Sequence, residues 1–241
     1  MDGKTFPFAA HLEELRKRII YCIIAVTLTS IISYLYKETI LLFLIKPIGK
    51  VFFLTLTEAF ISYLKISIIS GVFLASPYIA CQIWVFTWSA FQPIEKKYII
   101  TYGILSLVLF LGGAIFGYAV GFPVAVNFLL SFAKDYLVPV ISVSMYINFC
   151  LIFILIFGLL FELPLIVIFM TNTGLVKIEQ VAAKRRHVIV AIFIIAAIVT
   201  PGPDVFTQFL VAIPLYFLFE VSILLVRTLK IFTRKKNVEI I

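Results

Sequence analysis

From Tyr98 to Gly121 the chain runs for 24 residues without one charged side chain. A helix of that length measures about 36 Å at 1.5 Å per residue, enough to cross roughly 30 Å of hydrocarbon. Other apolar runs approach or exceed the same length. A transmembrane barrel would show alternating segments of about ten residues instead, and none is seen. Composition agrees, with 63% hydrophobic and 13% charged residues and a mean hydropathy of +1.17, against an apolar share of about half in soluble domains. The chain therefore reads as an all-α integral membrane protein with a single domain spanning 1–241. Its first apolar run follows a charged amphipathic stretch with no small-residue cleavage site, so no removable signal or transit peptide is expected. Cys22, Cys81 and Cys150 fall within or beside apolar segments without paired spacing, as small buried hydrophobes do, and neither a disulfide nor a metal role is expected.

Six spans are expected, at about 19–36, 63–83, 98–121, 146–171, 188–200 and 206–226. The stretch WVFTWSAFQPIEKK reads as a loop between the second and third, and Pro123 to Met145 as a loop before the fourth. Val188 to Val199 has only twelve residues, about 18 Å of helix, so it could be half of a re-entrant element. Loop charge decides, because cytoplasmic loops carry the excess of Lys and Arg. Six spans with both termini cytoplasmic put 15 basic residues inside and 5 outside; five spans move the tail out and give 10 against 10. Six wins, with the last two helices short and the bilayer thinned there or covered by a neighbouring subunit. The net charge of +8 then reflects topology and contact with anionic lipids; no basic patch with interleaved aromatics suggests nucleic acid.

Three places carry chemistry. In FAAHLEELRKRII, Phe8, Leu12, Leu15 and Ile19 form one helical stripe that can lie on the membrane. Glu13 with Lys17, and Glu14 with Arg18, are four apart with the acid first, the order that supports a helix. The plain reading is an interfacial helix with internal ion pairs; the sharper one is a carboxylate facing a cationic ligand. The loop WVFTWSAFQPIEKK is aromatic and holds one acid, Glu95. Its aromatics suit an interfacial belt. Two acids on that face beside apolar surface would equally suit a peptide with cationic and greasy parts, and guanidinium groups fit carboxylates in a fork. The third place is Glu162, a carboxylate inside the apolar run GLLFELPLIVIF. An acid at the centre of a span costs about 2.5 to 3.5 kcal/mol on insertion scales, so it should face protein or water. Pro164, two residues on, removes a backbone donor and should bend the span. His11 and His187 show no metal spacing. No H-E-x-x-H, G-x-S-x-G or nucleotide-binding glycine loop is present, so neither an enzyme nor a cofactor is expected. The rival class is a proton- or ion-coupled secondary transporter using Glu162, which predicts duplicated halves that this chain lacks.

Four stretches, HLEELRKR at 11–18, SPYIACQIWVFTWSAFQPIEKK at 76–97, FGLLFELPL at 157–165 and TPGPDVFTQFLVAIPLYFLFE at 200–220, together resemble the TatC family, the polytopic core of the twin-arginine protein translocase. The resemblance covers nearly the whole chain, in order and with matching spacing. It implies a receptor for signal peptides bearing consecutive arginines, with the arginine-contacting acids at Glu14 and Glu95, recognition residues at Phe86 and Phe91, and the intramembrane acid at Glu162. Thr200 and Gln208 match polar positions where single-span TatA- and TatB-like subunits dock. TPGPD is one residue longer than the more frequent TPPD, which leaves Asp204 less firmly placed than Glu162. The resemblance further implies export of folded cargo driven by the proton gradient, several copies per complex, and a bacterial cytoplasmic membrane, or a thylakoid if the chain is organelle-encoded.

Overall fold

The computed structural model describes the backbone of residues 6–89, 96–132, 140–199 and 205–238. Glu95, Phe91, Thr200 and Asp204 lie outside the described residues. Within them the chain is helical: α1 Phe6–Leu35, α2 Lys37–Ile45, α3 Glu58–Ser89, α4 Lys96–Phe116, a π-helical turn Gly117–Gly121, α5 Phe122–Leu130, α6 Val143–Leu160, α7 Leu163–Asn172, α8 Ile178–Ala183, α9 Arg185–Val199 and α10 Val205–Val238. Among the described residues five stretches are long and apolar enough to cross a membrane, and α9, with 15 residues, makes the sixth crossing. In the most hydrophobic part of α1 only 6% of residues are buried inside the chain, which leaves most of that surface open to lipid or to a neighbouring chain.

Two expected loops are partly helical. Leu130 ends a helical run that continues from α4 through the π turn, so the apolar stretch reaches from Ile100 to Leu130. Pro123 does not break it, because it sits in the first turn of α5, after a π turn whose Gly117 carbonyl accepts the Phe122 N–H. Trp84 to Ser89 likewise continue α3; the next breaker in the sequence is Pro93. Pro77 lies inside α3 and leaves the carbonyl four residues back without its donor. The Ser76 hydroxyl fills that role, donating to the Phe73 oxygen at 2.7 Å. α10 runs past its apolar part, Val205–Thr228, to Val238, since no Gly or Pro follows Pro214 to stop it.

The chain divides into two compact units, Met1–Val108 with Val138–Leu151, and Leu109–Leu137 with Ile152–Ile241. In the first, α1 packs along α3 so closely that a Cβ on Gly71 would stand 2.2 Å from Ser30 Oγ. Thr29 Oγ1 donates across this crossing to the Gly71 carbonyl at 2.8 Å. Such approach through small residues is how helices associate where lipid removes the hydrophobic drive. Buried Glu58, the first residue of α3, accepts N–H groups from Leu54 at 2.6 Å and Ser144 at 2.9 Å and the hydroxyl of Ser142. It thereby ties the segment after α2 to the amino end of α6. Phe52 adds a short parallel bridge there, its carbonyl accepting from Val143 N–H at 2.8 Å.

In the second unit Phe153 and Phe157 of α6 fill the space left by Gly113, Gly117 and Gly121, spaced by four; a Cβ on Gly113 would meet the Phe157 carbonyl oxygen at 2.4 Å. Helix α10 buries Phe219, Ile223 and Val226 against Ile178 of α8, with Val167 and Ile168 of α7 and Val188 of α9 around them.

Candidate functional site

Periodicity alone places His11, Glu14 and Arg18 on one face of α1, at steps of three and four. In the first unit that face meets the carboxyl-terminal part of α3. Arg18 directs Nε and Nη2 at the same carboxylate oxygen, Glu14 Oε1, at 3.0 and 2.5 Å, and Nη1 at Gln82 Oε1 of α3, at 2.7 Å. His11 Nδ1 stands 3.7 Å from Glu14 Oε2, a contact that becomes an ion pair when the imidazole is protonated. On its other side the His11 ring stacks on Phe86, with centroids 4.3 Å apart and planes 12° from parallel. Glu14 keeps 33% of its side-chain surface exposed, and Arg18 20%. The result is a half-open patch with a carboxylate, a guanidinium, an amide and two stacked rings.

Two of the four expected signal-peptide residues, Glu14 and Phe86, are thus in one patch, joined through His11; Glu95 and Phe91 fall outside the described residues. The internal ion pairs are also present. Glu13 and Lys17 pair at 2.9 Å, both well exposed, so solvent and salt screen that pair and it adds little to stability. The Glu14–Arg18 pair differs in being partly buried and held by a third group. Its four-residue spacing is visible in sequence, but the Gln82 contact is not: 64 residues separate the partners.

Glu162 lies at the break between α6 and α7, with Pro164 in the first turn of α7. Its backbone N–H donates to Leu159 O at 3.2 Å and its carbonyl accepts from Ile166 at 3.0 Å. The side chain is half-buried, while Pro164 and Leu165 behind it are buried. The apolar run is therefore two helices with an acid at the joint. Gln208 of α10 donates from Nε2 to the Phe193 carbonyl of α9 at 3.0 Å, closing the last hairpin; Thr200 is outside the described residues. A further acid, Glu220 of α10, which the sequence reading passed over, accepts from Arg185 of α9 at 2.9 Å and from Tyr216 Oη at 3.0 Å.

Residues 10–214 match the family described as Sec-independent protein translocase protein (TatC). The Sec-independent protein translocase protein TatC of Carboxydothermus hydrogenoformans is 40% identical over 234 residues, which cover 95% of this chain and 96% of that protein. The protein of the same name from Aquifex aeolicus is 39% identical over 239 residues, 96% of this chain and 98% of that one. A crystal structure described as the twin arginine translocase receptor TatC superposes with a TM-score of 0.82 at 38% identity, covering 89% of this chain and 98% of that chain. These relatives give no support to the secondary-transporter alternative. By its sequence motifs, its multi-pass helical architecture and these likenesses, the chain belongs to the TatC family of Sec-independent protein translocase proteins.

Proposed function

We propose that this chain is the receptor and core subunit of a twin-arginine translocase, and that Glu14 is one of the groups that take the paired arginines of a signal peptide. The observation that carries this reading is that Glu14 already accepts a guanidinium, through two donors on one oxygen. That contact is charge-assisted, the stronger class of hydrogen bond, and an ammonium would bring to it one point charge in place of a planar fork. The stacked His11 and Phe86 rings beside it offer apolar surface to the residues flanking the arginines. Glu95 is the second acceptor and Phe91 a second apolar contact in the same reading.

Glu162 lines a partly hydrated groove at the α6–α7 joint that receives the hydrophobic part of the signal peptide or the helix of a partner. Thr200 and Gln208 mark where single-span TatA- and TatB-like subunits dock on the last hairpin. Several copies assemble in a bacterial cytoplasmic membrane, or a thylakoid membrane for an organelle-encoded chain. Folded cargo crosses at the expense of the proton gradient, and the chain itself catalyses no reaction.

Complementation tests the reading. In cells lacking their own TatC-family subunit, this chain with its partner subunits should export a folded twin-arginine reporter, and Glu14→Gln with Glu95→Gln should abolish export at unchanged protein level. Full export by the double variant would overturn it. Glu162→Ala, scored for export and complex assembly, should lower at least one of them; wild-type values for both would remove Glu162 from the mechanism.

A further inference from the structure

The carboxylate read as the ligand's acceptor is not waiting empty. Arg18 of the same helix holds Glu14 Oε1 through Nε and Nη2 at 3.0 and 2.5 Å. Its third nitrogen, Nη1, is anchored on Gln82 of α3 at 2.7 Å. This arrangement goes beyond an ordinary four-residue helix pair, because the guanidinium spans two helices and is only 20% exposed. We propose that Arg18 is an internal competitor for the ligand's arginine, held in place by Gln82. It sets the affinity threshold a cationic peptide must pass to reach Glu14. The proposal rests on the reading of Glu14 as a guanidinium acceptor.

Binding at Glu14 is then an exchange. When a ligand arginine arrives, Arg18 gives up its bonds to Glu14 and the ligand forms bonds of the same kind, so charge-assisted contacts are replaced like for like. A ligand lysine replaces the two convergent N–H contacts with a single ammonium contact, which leaves the exchange uphill. Gln82 keeps hold of Nη1 throughout, so the displaced side chain stays within reach and closes the site when the peptide leaves. Because the binding-competent state is only the fraction in which Arg18 is displaced, the apparent affinity of every cationic ligand falls by the same factor. The intrinsic preference for Arg over Lys is unchanged by this, but the weaker lysine peptides are pushed below the useful range.

Binding of labelled twin-arginine and twin-lysine peptides to the full chain in lipid nanodiscs tests this. Arg18→Lys preserves the charge but loses the fork, and Gln82→Ala removes the anchor while leaving Glu14 and Arg18 in place. Each should tighten both peptides by a similar factor, about two- to fivefold, the range expected from the modest worth of a partly exposed pair. Lys17→Gln removes a neighbouring exposed charge and should change binding by less than either. If Arg18→Lys and Gln82→Ala leave binding unchanged or weaken it while Glu14→Gln still weakens it, Arg18 is a structural tie and the competitor role is overturned. If Glu14→Gln has no effect in the wild-type background, the acceptor reading fails and the competitor role fails with it.

Discussion

The imidazole of His11 lies flat on the ring of Phe86, 4.3 Å between centroids, and joins the amino-terminal helix to the far end of α3. Its Nδ1 at the same time stands 3.7 Å from the Glu14 carboxylate. Removing the ring in His11→Ala should weaken peptide binding about two- to tenfold, the equivalent of the roughly 0.5 to 1.5 kcal/mol of an aromatic pair. His11→Phe keeps the stack and should recover most of it. Titration of labelled peptide against the three proteins reads both values.

Gly112 and Gly113 are neighbours in α4 with opposite surroundings. A Cβ on Gly112 meets nothing within 4 Å, whereas one on Gly113 would lie 2.4 Å from the Phe157 carbonyl oxygen and 2.7 Å from Phe161 Cβ. Gly113→Ala should therefore cost about 1 to 3 kcal/mol by overpacking, and Gly112→Ala should be neutral or slightly stabilising. Thermal unfolding in detergent, with the two variants side by side, measures the difference. Equal Tm values would contradict the close approach of α4 and α6.

Glu58 is buried at the head of α3 and accepts from Leu54, Thr55, Ser142 and Ser144. Glu58→Ala leaves three backbone N–H groups and a hydroxyl without their acceptor and should cost about 2 to 4 kcal/mol. Glu58→Gln keeps one acceptor oxygen and should lose less. The readout is again Tm, together with faster proteolysis in the segment that follows α2.

Much of this architecture is legible in sequence because hydrocarbon imposes long apolar helices, and charge bias in the loops fixes their direction. The misreadings have particular causes. Pro123 looks like a breaker, yet a π turn ahead of it absorbs its missing donor. Nothing local marks Glu58 as buried; the groups that hold it, Ser142 and Ser144, are 84 and 86 residues away. The glycines at 113, 117 and 121 show their purpose only once Phe153 and Phe157 are set against them. At the candidate site, the spacing of Glu14 and Arg18 is visible as helix arithmetic. Gln82, which turns that pair into a bridge between helices, comes from tertiary packing and has no local signal.

Glu14 is proposed to take the guanidinium of an incoming peptide. Its most direct test is the Kd of a twin-arginine peptide and of its twin-lysine counterpart for the full chain in nanodiscs, before and after Glu14→Gln. The substitution should weaken the arginine peptide about two- to fivefold, the modest worth of a partly exposed pair gained in exchange for another, and bring the two Kd values toward each other. An arginine peptide that binds Glu14→Gln as tightly as the wild type would contradict it.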